Sequence, residues 1–367
     1  MSERMRIAID ANVLEGAWGG IPKYLSRIAE ELIAGGDAVD LLANTRRMER
    51  TVAGAHEVGI RVKGTEIWRN AFVPLWLARA RADVLWAPES VLPWRAPVAT
   101  VVTIHDLASL RFPEIKPPQH VRLFETKVAR SVRRATRTIA VSQTTADDVE
   151  AFYGVGADRV RVVPNGVDDR FAPGDREAAQ AAVRERWGIE QPFVLHVGST
   201  EPRKGIEVLV EAAALAAAGG AGWRVVLAGS SGFQSERIEA AARDSGACDL
   251  LGPVSDEELL DLLRAAGAFA APALYEGFGI APLEAMACGT PTVIAADSGG
   301  LEEVSGPAAI VVAERSGEAW RAALEQALTR PPELIERGLA HAAQFRWPIV
   351  AAQTRAVLAE AAKTAEA

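Results

Sequence analysis

The feature that most limits the fold is an alternation. Short apolar runs are separated by segments whose apolar residues recur at three- and four-residue spacing. The first series runs through "MRIAID", "AVDLLAN", "ADVLWAP", "APVATVVTIHDL" and "RTIAVS", and the helical pattern "YLSRIAEELIAG" follows the first of these. A second series, "FVLHVG", "WRVVLAG", "CDLLGPV", "AFAAPAL" and "PTVIAA", begins after the loop "VVPNGVDDRFAPGDRE", whose two prolines and two glycines mark a linker. Strands that alternate with helices pair in parallel through crossover helices. The chain is therefore expected to be α/β, with two doubly wound domains at 1–168 and 169–348 and a cleft between them. The closing stretch is a helical pattern broken at Pro348, and its part 349–367 is expected to pack back on the first domain.

Composition narrows the class. Of 367 residues, 49% are apolar and 24% charged, the profile of a globular chain with sizeable cores. Two cysteines, Cys248 and Cys288, make no disulfide framework and no metal spacing, so a reducing, cytoplasmic setting is expected. The charged "MSERMRIAID" leads straight into a strand pattern and predicts no signal peptide. No apolar run approaches the roughly 20 residues a membrane span needs. The net charge of −8 is uneven: Lys+Arg against Asp+Glu is 24 against 21 up to residue 170, and 16 against 27 afterwards. Such a division suits a first half that meets an anionic surface. No nucleic-acid partner is expected.

The stretch "PALYEGFGIAPLEAMACGTPTVIA" places Glu276 and Glu284 around a Gly-x-Gly step. "AFAAPAL" reads as a buried parallel strand that delivers "YEGFG" to the carboxyl edge of its sheet, where open α/β sheets bind ligands. Gly277 and Gly279 permit a tight loop with bare backbone N–H groups. The helix that starts at "APLEAMAC" offers its first-turn amides and dipole to an anion such as a phosphate. Taken alone, two acids are more often a helix cap and a solvated face, but that account leaves the glycines, "CGTPTV" and "ADSGGLEEV" unexplained.

These residues resemble the signature of retaining glycosyltransferases of family 4. Five further stretches resemble the same family in the same order: "GGIPKYLSRIAEEL", "VVTIHDLASLRFPE", "IAVSQTTADDVEAFYGV…VRVVPNGVD", "FVLHVGSTEPRKGIEVLVEA" and "LLGPVSDEELLDLLRAAGAF". The resemblance implies the GT-B fold, two Rossmann-like domains facing each other across a cleft. The second domain would hold the nucleotide sugar and the first the acceptor. Arg203 and Lys204 match the cations that hold the donor diphosphate. Glu276 matches the glutamate that contacts the transferred hexose, and Glu284 the one that binds the ribose. His105 matches the histidine that hydrogen-bonds the transferred sugar, so His105, Glu276, Arg203 and Lys204 form the implied catalytic set. Gly19, Gly20, Val254, Gly277, Phe278, Gly279, Ile280, Ala281 and Leu283 complete the implied donor site, largely through backbone groups. Asp106 is assigned to the acceptor or to holding its own loop, and Lys23 to the acceptor or a phosphate. "GGIPKY" departs from the common pattern, with Pro22-Lys23 where many relatives have a small residue and arginine.

No cofactor is implied beyond the nucleotide sugar. The chain has no Asp-x-Asp pair and no His/Cys cluster with ligand spacing, so no metal is expected and the two cations must neutralise the leaving diphosphate. "IDANVLEGAWGGIPKY" with "TIHDLASLRFPE" most resembles bacterial polysaccharide mannosyltransferases. That implies GDP-mannose as donor and a lipid-linked or polysaccharide glycan as acceptor. The alternatives are a UDP-glucose or UDP-N-acetylhexosamine transferase, an epimerase or phosphorylase on the same fold, and a non-catalytic sugar-nucleotide binder. An oxidoreductase is disfavoured because "GAWGGIPKY" lacks Gly-x-Gly-x-x-Gly spacing. Finally, "EIWRNAFVPLWLARARADV" mixes Trp68, Phe72, Leu75 and Trp76 with Arg69, Arg79 and Arg81, and Arg130, Arg133, Arg134 and Arg137 follow at helical spacing. Peripheral contact with an anionic membrane, at its inner face, is one expectation; a core helix beside a solvated basic one is the other. Pro74 is expected to interrupt the first helix.

Overall fold

The computed structural model describes residues 4–16, 19–190 and 192–366. The chain divides into two compact units, one of Met1–Arg111, Pro118–Gly166 and Trp347–Ala367, the other of Phe112–Pro117 and Val167–Arg346.

The first unit is built on β1 (Arg6–Asp10), β2 (Ala38–Ala43), β3 (His56–Gly59), β4 (Val84–Ala87), β5 (Ala99–Ile104), β6 (Arg137–Ala140) and β7 (Val160–Val162), in the order β3-β2-β1-β4-β5-β6-β7. All neighbours are parallel, as crossover helices require. Side-chain alternation divides the core in two. Ile7 and Ile9 face Tyr24, Leu25 and Ile28 of the Gly20–Ala34 helix. Ala8 faces the opposite layer with Leu85, Val102, Trp68 and Val132.

The last helix, Trp347–Glu366, belongs to the first layer: Trp347, Val350 and Leu358 join that core, and Trp347 packs edge-on to Tyr24 with ring centroids 6.2 Å apart. Arg355 pairs with the buried Asp37 at 2.6 Å, and Glu360 receives both Arg137 and Arg161. Pro348 does not break this helix. It sits in the first turn, where its missing N–H has no intrahelical partner to lose.

Pro74 is likewise absorbed. Helical turns run from Thr65 to Ala80, and a stretch of i→i+5 bonding, Trp68–Phe72, precedes the proline. This turn rolls Trp68 wholly into the core, while Phe72 and Trp76 pack partly against it and Arg69 pairs with Asp10 at 3.3 Å. The tryptophans expected on a membrane-facing side of this segment are therefore interior or partly so, and Arg69 with them, while Arg79 and Arg81 stay exposed. Of its large apolar side chains only Ile67, at 59%, and Leu75, at 54%, are exposed.

The second unit carries β8 (Phe193–Val197), β9 (Arg224–Ala228), β10 (Cys248–Gly252), β11 (Ala268–Ala271), β12 (Thr292–Ala295) and β13 (Ile310–Val312), in the order β10-β9-β8-β11-β12-β13. Val194, Val225, Leu227, Ala270 and Val293 form one face beneath Leu209, Ala213 and Trp320. β8 and β9 approach so closely that a Cβ on Gly229 would lie 2.0 Å from the Gly198 carbonyl oxygen. The sheet edges β3, β7 and β13 were not anticipated; each is three or four residues long and partly exposed, and only β13, Ile310–Val312, is apolar throughout.

Trp68→Ala should lower the unfolding free energy by about 3–5 kcal/mol, the usual cost of emptying an aromatic site in a core. Denaturant titration checks it; a loss below about 1 kcal/mol would return this side chain to the surface.

Candidate active site

In an open parallel sheet the ligand crevice lies where neighbouring strands leave for opposite sides. In the second unit that point is between β8 and β11. The segments after these two strands carry Arg203, Lys204 and Glu276, and the structure brings all three together. Glu276 Oε2 lies 2.9 Å from Arg203, and Oε1 pairs with the Lys204 ammonium. Arg203 also donates to the Tyr275 carbonyl at 2.7 Å and to Glu201 Oε1 at 2.9 Å. Glu201 in turn receives Lys116 at 3.1 Å.

The backbone holds this cluster in place. Glu276 N–H donates to Ser298 O, Gly300 N–H donates to Glu276 O, and Leu274 N–H donates to Arg203 O. Arg315 clamps the Pro272 and Ala273 carbonyls from the side, at 2.8 and 3.0 Å. After Lys204 the chain turns at Gly205 with φ +64, where a Cβ would meet Pro272 O at 2.3 Å. Only glycine fits there.

Burial alone would raise the Glu276 carboxyl, but Lys204 and Arg203 outweigh it and hold the group down at about 2. Burial opposes Glu201 too, and Arg203 and Lys116 bring it below the usual range. His196 of β8 was missed by the sequence reading. It is buried, donates Nδ1–H to Ala270 O at 2.9 Å, and is pushed down to about 4, first by burial.

Gly279, at φ +81, opens the Ile280–Ala287 helix, so the amides of Ile280, Ala281 and Leu283 face the same edge; Pro282 between them has none. Gly277 and Phe278 lie in the loop before it. The side chains of Phe278 and Leu283 are core: Phe278 packs against Phe345 and Leu283 is fully buried, which leaves their backbone for a ligand. Glu284 is 5% exposed within that helix. Val254 is two strands over, after β10, and precedes the helix Asp256–Ala265 with its Ser255–Glu258 capping box.

The first unit has its own switch point, between β1 and β4. Asp10 ends β1, its Oδ1 accepting from the Asn12 side chain at 2.6 Å and its Oδ2 pairing with Arg69. Glu89 follows β4, its carboxyl raised by partial burial and then by Asp10. His105 follows β5. It donates Nε2–H to Pro88 O at 3.0 Å, stacks edge-on to Tyr24 at 4.9 Å, and burial keeps it neutral. Asp106 Oδ1 accepts from Ala108 N–H at 3.0 Å and so caps its own loop. Gly19 and Gly20 start the Gly20–Ala34 helix, which also carries Lys23; a Cβ on either glycine would meet nothing within 4 Å. Their bareness is not demanded by packing within the protein. Asp10 and Glu89 were not singled out from sequence, though the strand-terminal position of Asp10 in "RIAID" was a signal, and Arg69 was read only as part of a membrane-facing stretch. Among the described residues no group of three His, Cys, Asp or Glu is placed to hold a metal, and no helix is long and apolar enough to cross a membrane.

Residues 18–171 match the model "Glycosyltransferase Family 4", and residues 180–341 match "Glycosyl transferases group 1". The O-antigen chain mannosyltransferase B of Escherichia coli is 31% identical over 288 residues, covering 76% of this chain and 75% of that one. This chain belongs to glycosyltransferase family 4. The D-inositol 3-phosphate glycosyltransferase of Gordonia bronchialis is 34% identical over 296 residues, covering 74% of this chain, though the match spans only 60% of that protein. Among solved structures, WaaG, a glycosyltransferase involved in lipopolysaccharide biosynthesis, superposes with a TM-score of 0.73 at 20% identity, covering 96% of this chain and 99% of that one. Anabaena HepE in complex with UDP and glucose gives 0.75 at 20%, covering 97% and 100%. The fold of this family 4 chain is GT-B.

Because the Glu276 carboxyl is depressed in the folded protein, its contribution to stability is present above its ordinary value of 4.5 and is lost as pH falls toward about 2. Glu276→Gln should therefore unfold at a lower temperature than wild type near pH 6, and the gap should close as pH approaches about 2.5. Thermal unfolding across that range checks this; a pH-independent gap would place the ion pairs elsewhere.

Proposed function

We propose that the chain transfers a hexose, with retention, from a nucleoside diphosphate sugar to a glycan or lipid-linked hydroxyl, without a metal. The observation that carries this reading is the Arg203–Lys204–Glu276 cluster at the β8/β11 switch point, beside the amides that open the Ile280–Ala287 helix. Two cations and a helix N-terminus are preset for the charge that grows on a departing diphosphate. The Glu276 carboxylate pairs with both cations in the position such an anion would take. An arriving diphosphate takes the cations, and Glu276 is released to accept hydrogen bonds from the hexose hydroxyls. The bond from the anomeric carbon to the phosphate oxygen breaks as the acceptor oxygen attacks on the same face, and the acceptor proton passes to the departing phosphate. Glu276 orients the sugar and forms no bond to it. His105 and Asp106 are assigned to the sugar and the acceptor on the family resemblance.

GDP-mannose is the preferred donor, favoured by the 31% identical O-antigen chain mannosyltransferase. A UDP-hexose is the second reading, favoured by the UDP and glucose held by the HepE structure. Peripheral contact with an anionic membrane remains part of the proposal, now resting on the exposed Trp94, Leu75 and Ile67 with Arg130 stacked on Trp94 at 5.5 Å.

Thermal unfolding against GDP, UDP, ADP and NAD tests the donor. A ligand at 100 times its dissociation constant adds about 2.7 kcal/mol. GDP alone should shift the transition, equally with and without EDTA; a shift with UDP alone replaces the donor, and no shift with any nucleoside diphosphate defeats the reading. Lys204→Ala should keep the fold and cut turnover by roughly 10²–10³-fold, as the loss of one preset electrostatic contact does. Vesicles of anionic lipid should retain the protein at low salt, and the absence of cosedimentation removes the membrane.

A further inference from the structure

His196 has a role that neither the fold nor the donor-binding reading requires. On β8 it occupies the row of Val194, facing the apolar layer, and is only 3% exposed. A leucine or valine would serve packing there. Its Nδ1 faces the Ala270 carbonyl oxygen at 2.9 Å, and a carbonyl only accepts, so Nδ1 carries the hydrogen and Nε2 the lone pair. Nε2 is buried and has no hydrogen-bond partner among the described residues. Such an acceptor is retained at a cost unless some state of the protein satisfies it.

What faces that lone pair is visible from Gly198, one residue past the strand. A Cβ there would sit 3.5 Å from His196 Nε2 and 3.5 Å from both Cε and Nζ of Lys204. The missing side chain thus leaves a lone pair and an ammonium beside the same small space. Lys204 and Glu276 are the charged groups that act on the ring. In the structure the ammonium pairs with Glu276.

Resting on the transferase reading above, we propose that His196 is a positioning residue for Lys204: when a diphosphate enters, the ammonium leaves Glu276 and donates one hydrogen to the phosphate and another to His196 Nε2. An ammonium has three donors, so both bonds are available to it at once. No proton is transferred. The neutral ring holds the lysine's charge against the phosphate, and the carboxylate is left free for the sugar. A protonated ring would repel Lys204, which is why the burial that keeps the ring neutral belongs to the device.

Affinity for inorganic pyrophosphate, UDP and GDP, measured by calorimetry on the full chain, tests this in wild type, His196→Phe, His196→Gln, Lys204→Ala and the Phe/Ala double variant. Phenylalanine fills the space without a lone pair; glutamine returns an acceptor oxygen near the Nε2 position. His196→Phe should weaken diphosphate binding roughly tenfold, the size expected for one hydrogen bond to a charged group. His196→Gln should stay within about threefold of wild type, and the Phe substitution should cost nothing further once Lys204 is alanine. In wild type labelled with ¹⁵N-histidine, the unprotonated His196 nitrogen should shift when nucleotide is added, and Lys204→Ala should abolish that shift. An equal Phe penalty with and without Lys204 would show a packing role and overturn the proposal, as would undiminished affinity in His196→Phe. If diphosphate binding depends on Lys204 but not on His196, this proposal alone falls. If none of the three ligands binds wild type, the transferase reading falls and takes it down too.

Discussion

Everything around the β8/β11 crevice is organised by the burial of one carboxylate between two cations. Removing Glu276 from water is unfavourable by itself, and the opposite charges of Lys204 and Arg203 reverse that penalty. The reversal needs geometry, and geometry sets the local sequence. Gly205 lets the chain turn after Lys204, Gly279 lets it enter the next helix, and Gly299, at φ +66, sits where a Cβ would strike the Tyr275 ring at 2.9 Å. Two loops from different strands are laced by backbone bonds, so that Arg203 and Glu276 meet with little freedom left. The ordering of these side chains is completed at folding, before any ligand arrives.

That has a chemical consequence. Cations held by a protein carboxylate are already desolvated and aimed, so in the proposed reading a diphosphate would exchange one anion for another instead of gathering charge from solvent. Glu201 would keep that exchange from loosening the site. It keeps its own bond to Arg203 and to Lys116, so the guanidinium stays tethered when Glu276 lets go. Lys204 makes no such second bond to a carboxylate among the described residues.

Much of this was legible in sequence because it resides in glycines, prolines and charged residues at strand ends. "EPRKG" after an apolar run, and "YEGFG" after another, announce their place at a sheet edge. The central strands were readable because both faces are buried and their residues form continuous apolar runs. The edges β3, β7 and β13 were not, since half-exposed strands of three or four residues carry no periodic signal. Pro74 and Pro348 misled for one reason: a proline breaks a helix only where an N–H is needed, and a first turn or an i→i+5 stretch does not need one. Trp68 misled because amphipathicity depends on helical phase, and the wider turn changed the phase. His196 was invisible because a histidine in an apolar strand differs from a core residue only through its partners, and a sequence does not name them.

The two switch points differ in sign, and the sign runs against the charge of the halves that contain them. The first half of the chain is net positive, yet its crevice between β1 and β4 gathers Asp10 and Glu89 around a single Arg69. The second half is strongly negative, yet its crevice assembles Arg203 and Lys204, joined by Lys116 from the first half of the sequence, around two glutamates. Overall charge governs the field felt at a distance, whereas ligand choice is made by the few groups desolvated at the strand ends. A crevice in which cations outnumber carboxylates favours a phosphate. A crevice in which carboxylates outnumber cations disfavours one and accepts hydrogen bonds from hydroxyls. The same doubly wound architecture therefore supplies two chemically opposite edges, the division that the proposed reading asks for, with an anionic leaving group on one unit and a hydroxyl acceptor on the other.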